Sequence, residues 1–253
     1  MSKTKSEQRP VGSPSPADSW ASKASMIIPL MLFFILGMLV NTEPLVDDQS
    51  INPSAYMGLV AGRVVLMLAA FAWFSREIVR QFPLVIDRWG WIIGVVGAVV
   101  WIGICELGIE RQILRGLSVS DNWLPAREGV DPFAAYATGV PLAGFLLARF
   151  VLLAFCVPIA EELFLRGFLM RSVEAENWTE LPIGKIGRRG VIAATVYAVA
   201  THPGEIIAAV VWFSMVTALM FRSGKFWNCV VAHGVTNLLL GIYVCYASAW
   251  YLW

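Results

Sequence analysis

Two adjacent glutamates in an apolar stretch are the first sign of chemistry in this sequence. Glu161 and Glu162 lie in the segment PIAEELFLRG, which also contains Arg166. Residues four apart share a helix face, so Glu162 and Arg166 are expected to form an ion pair. Neighbouring side chains on a helix point ~100° apart, which leaves Glu161 free to face an interior cavity. There its carboxylate could act as a general base.

The chain has two histidines, and both lie in or beside apolar runs. His202 precedes Pro203, and because proline disfavours helix at the preceding residue, its ring is expected at a helix end. His233 and Asn237 are four residues apart and therefore share one helix face. A single such histidine is most often a hydrogen-bonded core residue, but the combination with Glu161 and Asn237 favours a functional site.

A carboxylate, two imidazoles and an amide in one cavity suit the hydrolysis of an unreactive bond. The carboxylate can take a proton from water while histidine or asparagine stabilises the oxyanion. A second possibility is that Glu161, His202 and His233 hold one Zn²⁺ that activates its bound water, and a metal-independent reaction is also open. The chain contains no HExxH, GxSxG or Gly-rich phosphate motif, so zincin, serine-hydrolase and nucleotide chemistry have no support.

The composition places these polar residues in a membrane. Of the 253 residues, 58% are apolar and 15% charged, with a net charge of +1. Soluble domains are ~45–50% apolar and ~25% charged, so a soluble enzyme is excluded. The lack of a basic excess argues against a nucleic-acid partner. We therefore predict an all-α, polytopic membrane protein whose surroundings are the lipid bilayer.

Apolar runs divide the chain into seven or eight predicted transmembrane helices. They cover residues 26–40, 56–74, 89–109, 133–170, 191–200, 206–221 and 226–253, the last being one tilted helix or two short ones divided near Gly241. The first run lacks a small-x-small cleavage site, so a retained span is favoured over a signal peptide. We predict a disordered cytoplasmic tail at 1–25, N-terminal transmembrane helices at 26–132 and a catalytic-type transmembrane core at 133–253.

The basic residues predict the orientation. Thirteen of the 19 Lys and Arg residues fall in the tail and in loops on its side, against three on the opposite side. This asymmetry predicts a cytoplasmic N-terminus in the inner (plasma) membrane.

Charged residues isolated within apolar runs are expected to form internal ion pairs or to reach an interface: Arg63, Glu106 and Arg149. Glycines of the third run are expected to allow close helix packing: Gly90, Gly94 and Gly97.

Depth in the bilayer links the polar residues to one another. If the fourth span begins near Arg149 at the outer interface, Glu161 lies ~18 Å along it at ~1.5 Å per residue. The same rise places the two histidines and Asn237 ~12–20 Å from the basic residues that start their own helices. All four then share one layer of a ~30 Å hydrocarbon core. This choice leaves 133–147 as a separate outer-leaflet or half-span segment.

Three motifs in this order resemble the signature of the CPBP family, over about residues 149–240. These are the intramembrane CAAX-prenyl-protease and bacteriocin-processing endopeptidases, also called Abi proteins. The matching residues are Glu161, Glu162, Arg166 and Gly167, then His202, then His233 and Asn237. The family usually has an aromatic residue four positions before the first histidine, where this chain has Ala198, with Tyr197 one position earlier. The extra early spans look like the branch associated with exosortase-type sorting systems.

The resemblance implies a role for each residue of the motifs. Glu161 with His202 would activate the water that attacks a peptide bond. His233 and Asn237 would support the oxyanion or a metal, while Glu162 and Arg166 would order the site.

The leading hypothesis is therefore a glutamate-dependent intramembrane endopeptidase. Its partner would be a membrane-associated peptide or protein, prenylated or carrying a sorting signal and cleaved near its C-terminus. The alternative is a non-proteolytic scaffold or bacteriocin-immunity-type protein that uses the polar cluster to lock its helices together. A proton-coupled transporter ranks last, because the sequence shows no inverted repeat.

Overall fold

The computed structural model describes residues 16–39, 52–118, 120, 129 and 131–252. These residues form helices and connecting turns with no strand among them, which confirms the all-α class. The α-helices are α1 (Pro16–Leu39), α2 (Pro53–Gln81), α3 (Arg88–Glu106), α4 (Ile109–Gly116), α5 (Pro132–Ala135), α6 (Val140–Val151), α7 (Val157–Glu162), α8 (Met170–Ser172), α9 (Arg188–Thr201), α10 (Ile206–Ser223) and α11 (Phe226–Ala247).

Six helices of the described residues are long and apolar enough to cross a membrane. They are Trp20–Leu39 within α1, then α2, α3, the continuous helix Val140–Ser172, α10 and α11. Helix α9 has only 14 residues. The protein is thus an all-α polytopic membrane protein, while the count of seven or eight spans and the cytoplasmic N-terminus stay predictions.

The long helix Val140–Ser172 corrects the predicted start of the fourth span. It joins α6, α7 and α8 through two π-helical segments, Leu152–Cys156 and Leu163–Leu169. Arg149 is buried, with its guanidinium 5.7 Å from the Tyr56 ring centroid, and lies inside this helix, which already begins at Val140. Of the predicted separate segment 133–147, residues 140–147 belong to this long helix, and only residues 133–139 precede it.

The two ends of the described chain settle further predictions. Helix α1 starts at Pro16, so the tail predicted as disordered to residue 25 is helical over 16–25. The region after residue 225 forms one long helix, α11, and not two short ones. Residues 1–15, residues 41–44 directly after the first apolar run and residues 121–128 of the predicted outer loop lie outside the described residues.

Helix α3 packs along α11 at very short range. A Cβ atom added at Gly94 would lie 2.6 Å from Cβ of Val235, and one at Gly97 would lie 2.9 Å from Oγ1 of Thr236. Gly90 likewise faces the backbone of Asn228. The residue numbers of the contacting positions increase together along α3 and α11, from Gly90 with Asn228 to Gly97 with Thr236, so the two helices run parallel. The predicted role of these glycines in close packing is confirmed.

Polar contacts fix the start of α3 against the start of α11. Asp87 caps α3 by accepting a hydrogen bond from the Trp89 amide at 2.9 Å. Its other oxygen accepts one from Nζ of Lys225, also at 2.9 Å, and this bond holds the pKa of the Asp87 carboxyl below its usual range. Asn228 forms two further hydrogen bonds with Asp87. Its Oδ1 accepts from the backbone amide of Asp87 at 2.9 Å, and its Nδ2 donates to Oδ1 of Asp87 at 3.0 Å. The two helices are thereby held in register at one end.

The substitution Gly94→Ala should destabilise the protein, because the new methyl group overlaps α11. Overpacking of this kind costs about 1–3 kcal/mol, which a lower melting temperature in detergent would reveal. The matched control is Gly103→Ala on the same helix, where the new methyl group meets nothing within 4 Å. Since alanine favours helix over glycine, the control should be neutral or stabilising. Equal melting temperatures for the two variants would contradict the close packing.

Candidate active site

The glutamate pair lies on a single α-helical turn between two π-helical segments. Glu161 and Glu162 end α7, with Leu152–Cys156 before it and Leu163–Leu169 after it. Pro158 lies in the first turn of α7, and because proline lacks an N–H and crowds the carbonyl four residues earlier, a regular α-helix is disfavoured there. Wider π turns are a common response and often occur at functional sites.

Glu162 is the centre of a buried polar network. Its side chain is fully buried, as is that of Arg166, and Nη1 of Arg166 donates to its Oε2. Its Oε1 lies 3.1 Å from Nδ1 of His233. Because a carboxylate can only accept, the Nδ1 atom of His233 carries the hydrogen of this bond. The predicted Glu162–Arg166 ion pair is confirmed, and the bond to His233 is an addition that the sequence did not indicate.

Glu161 points to the other side of α7 and borders a cavity. Its Oε2 lies 3.6 Å from Nε2 of His233, which is longer than a direct hydrogen bond. The hydroxyl group of Tyr197 also interacts with the Glu161 carboxylate. Tyr197 therefore reaches the site from the position one residue before the one where the family's aromatic residue was expected.

His202 lies at the end of α9, as the following proline predicted. Its Nδ1 is 3.2 Å from the carbonyl oxygen of Ala198 and 2.9 Å from Oγ1 of Thr201. A carbonyl oxygen only accepts, so Nδ1 is the donor and Nε2 keeps a free lone pair. The ring packs edge-on against Trp101 and Phe213, with centroid distances of 5.4 and 5.6 Å. These contacts fix the ring in a single orientation.

Asn237 connects α11 to the first π-helical segment. Its Nδ2 donates to the carbonyl oxygen of Leu153 at 2.9 Å. A side-chain amide has two N–H donors, so a second one is available to the cavity that Asn237 lines. Close approach of the two helices is possible because Gly234 faces the carbonyl of Ala154, where a Cβ atom would lie 2.6 Å away.

Four of the six predicted site residues line one cavity of about 380 Å³. The remaining two, Glu162 and Arg166, lie behind its wall and bond to each other. The four predicted residues are Glu161, His202, His233 and Asn237. The cavity is also lined by Trp101, Leu153, Val157, Thr201, Glu205, Trp212, Phe213, Thr236, Leu240, Gly241, Val244, Tyr251 and Leu252. The volume falls in the range of small-ligand sites, ~300–1,000 Å³.

A second support for His233 was not visible in the sequence. Trp212 is almost completely buried, and its ring centroid lies 4.7 Å from that of His233. Its indole Nε1 donates to Oγ1 of Thr236 at 3.0 Å, and Thr236 in turn donates to the carbonyl of Gly94 at 2.9 Å. The only hint in the sequence was the small residue at position 94, which allows this bond between α3 and α11.

The residues predicted as possible zinc ligands do not form a metal site in the described part of the chain. No group of three or more His, Cys, Asp or Glu side chains there is placed to hold a metal ion. His233 directs Nδ1 at Glu162, and His202 directs Nδ1 at a backbone carbonyl. Glu161, His202 and His233 are thus not placed as a ready three-ligand zinc centre in the described residues, while both histidines keep Nε2 free, and zinc dependence stays a prediction.

Comparison with known families gives a match over the part of the chain that contains these residues. Residues 143–239 match the family described as type II CAAX prenyl endopeptidase Rce1-like. The match confirms the resemblance to the CPBP family and contains all six predicted site residues. The match spans less than half of the chain and supports a CAAX-type endopeptidase in general terms. No curated protein and no solved structure matches the chain.

The buried network makes the loss of one partner costly. The substitution Arg166→Met leaves the Glu162 carboxylate buried without its guanidinium, and breaking such a pair costs about 3–5 kcal/mol. The double variant Glu162→Gln/Arg166→Met removes both charges and should recover much of this loss in a detergent melting experiment.

The matched control is Arg80→Met, because Arg80 pairs with Glu77 at an exposed site. Exposed pairs contribute about 0–1 kcal/mol. Similar melting temperatures for Arg166→Met and Arg80→Met would show that the buried network does not stabilise the fold.

Proposed function

We propose that this protein is an intramembrane endopeptidase that hydrolyses a peptide bond near the C-terminus of a membrane-associated protein. The substrate is prenylated or carries a sorting signal, and the protein acts in the inner (plasma) membrane. One observation carries the proposal: Glu161 borders a cavity together with His202, His233 and Asn237, while the adjacent Glu162 is occupied by Arg166 and His233. One glutamate is thus available for chemistry and the other for support.

The first step is activation of a water molecule by Glu161. The water donates one hydrogen bond to the Glu161 carboxylate and the other to the Nε2 lone pair of His202. As the water oxygen attacks the carbonyl carbon of the substrate, Glu161 takes its proton. A positioned general base of this kind typically contributes a 10²–10⁴-fold rate increase, roughly.

The second step is collapse of the tetrahedral intermediate. The negative oxygen accepts a hydrogen bond from the second Nδ2 hydrogen of Asn237, while Glu162 holds His233 in place beside it. When the C–N bond breaks, Glu161 returns its proton to the leaving amine. The products are a new amine and a new carboxylic acid, which loses the second proton of the water to solvent and becomes a carboxylate, and Glu161 is again ionised.

The surrounding apolar helices make these interactions stronger. Donors fixed in a cavity of low polarity stabilise a developing charge better than water does, because they need no reorientation. Trp101, Trp212 and Phe213 surround the two imidazoles and hold their rings in orientation. Pre-organisation of this type is what hydrolysis of a stable amide requires.

The substitution Glu161→Gln should abolish cleavage and leave folding intact. Its amide cannot accept the proton of water, so kcat should fall by at least about 100-fold. The assay uses purified protein in liposomes with a farnesylated peptide ending in Cys-aliphatic-aliphatic-X, the motif that directs prenylation. The matched control is Glu176→Gln at an exposed position, which should cleave like the wild type. Full activity of Glu161→Gln would refute the proposal. If the wild type cleaves no peptide and Glu161→Gln only lowers the stability of the protein, the scaffold alternative is favoured.

The reaction should not depend on a bound zinc ion. Because no step of the proposed mechanism uses a metal, dialysis against a strong zinc chelator should leave kcat unchanged within about twofold, well below the 10²–10⁴-fold effect of a catalytic group. Metal analysis of the dialysed protein is the control. Loss of activity on dialysis that zinc restores would overturn the metal-independent mechanism and keep the endopeptidase assignment.

A further inference from the structure

A turn outside the matched family segment forms one end of the cavity. Tyr251 and Leu252 line the cavity and belong to the short 3₁₀ helix Trp250–Leu252. The family match ends at residue 239, so these residues lie outside the matched segment. Around them the cavity wall is apolar, formed by Leu240 and Val244 of α11 together with Trp101 of α3.

The turn is a defined structure that folds back onto α11. Helix α11 ends at Ala247, and Ser248 adopts a left-handed backbone conformation with φ of 54°. This conformation reverses the chain at helix ends. The amide of Ala249 then donates to the carbonyl of Val244 at 3.1 Å. Val244, Ala249 and Leu252 form a small buried apolar cluster that fixes the position of Leu252.

A single carboxylate ties the turn to two helices. Oε1 of Glu106, the last residue of α3, accepts hydrogen bonds from the hydroxyl groups of Tyr243 and Tyr251, each at 2.7 Å. Tyr243 belongs to α11 and Tyr251 to the turn. Bonds to an ionised acceptor are stronger than neutral ones. Burial together with the Glu106 carboxylate raises the pKa of Tyr251, so its hydroxyl stays a donor.

The distance from the polar residues to the turn matches a short extended peptide. Val244 follows His233 by eleven residues on α11, which is ~16 Å along the helix. An extended chain advances ~3.3 Å per residue, so about five residues would span this length. A tail of three residues after a scissile bond at Glu161 covers ~10 Å of this length, and its last side chain together with the cavity-lining side chains of Tyr251 and Leu252 can span the rest.

We propose that the turn 248–252 is a specificity-determining wall of the cavity. Leu252 and the ring of Tyr251 contact the side chains of the peptide tail that is released, and they select apolar side chains of limited size. Glu106 is a positioning residue that holds this wall in place through Tyr251. The inference rests on the proposed endopeptidase function and adds residues that lie outside its catalytic group.

The test compares cleavage of farnesylated peptides that differ at one released residue at a time, with Ala, Leu or Phe. The substitution Leu252→Ala shortens the side chain that forms the wall and leaves more room for the substrate. At one released position, the ratio of kcat/KM for the Phe peptide to kcat/KM for the Ala peptide should therefore rise by at least about tenfold. Leu252→Phe should shift the preference toward Ala. Tyr251→Phe loses the bond to Glu106 and should raise KM with little change in kcat. The matched control is Tyr246→Phe, because Tyr246 on α11 is 90% exposed.

Two results separate failure of the wall from failure of the enzyme. If the wild type cleaves the peptides and both Leu252 variants keep its preference, the wall is wrong and the endopeptidase stands. If the wild type cleaves none of the peptides, the endopeptidase assignment is wrong. The proposed wall is then tested by binding: the same peptides carry a photoreactive leucine and are crosslinked to the Glu161→Gln variant. Crosslinks to residues 249–252 support the wall, whereas crosslinks confined to other residues, or none at all, overturn it.

Discussion

The structure depends on one buried carboxylate that a membrane helix could not contain alone. Glu162 is fully buried in an apolar helix, where an unpaired charge would be strongly unfavourable. Arg166 satisfies one of its oxygens from the same helix and His233 the other from α11. The electrostatic requirement of Glu162 therefore fixes the orientation of His233. It also joins the helix Val140–Ser172 to α11 at the level of Glu161.

Close helix packing makes this arrangement possible. Gly234 allows α11 to approach the carbonyl of Ala154, and Gly94 allows α3 to approach α11 from the other side. The second contact brings the Gly94 carbonyl within reach of Thr236, which in turn binds Trp212 against His233. Glycines on two helices thus determine how rigidly one imidazole is held, which connects packing directly to the proposed chemistry.

Local features of the site were predictable from the sequence, and contacts between distant segments were not. The Glu162–Arg166 pair follows from a spacing of four, and the position of His202 follows from the proline after it. The Glu162–His233 bond joins residues 71 positions apart, and nothing in the sequence indicates which histidine meets which glutamate. The start of the long helix was misplaced because Arg149 was taken as an interface residue, whereas Tyr56 and the neighbouring helices bury it.

The central claim is that a water molecule activated by Glu161 attacks the peptide bond directly. The most direct measurement is a single turnover of the farnesylated peptide in H₂¹⁸O, with excess protein in liposomes and added hydroxylamine. Direct attack predicts one ¹⁸O atom in the new carboxylate of the peptide, an unlabelled Glu161 and no peptide hydroxamate. A hydroxamate, or ¹⁸O in the Glu161 side chain, would show a covalent acyl intermediate and contradict the mechanism.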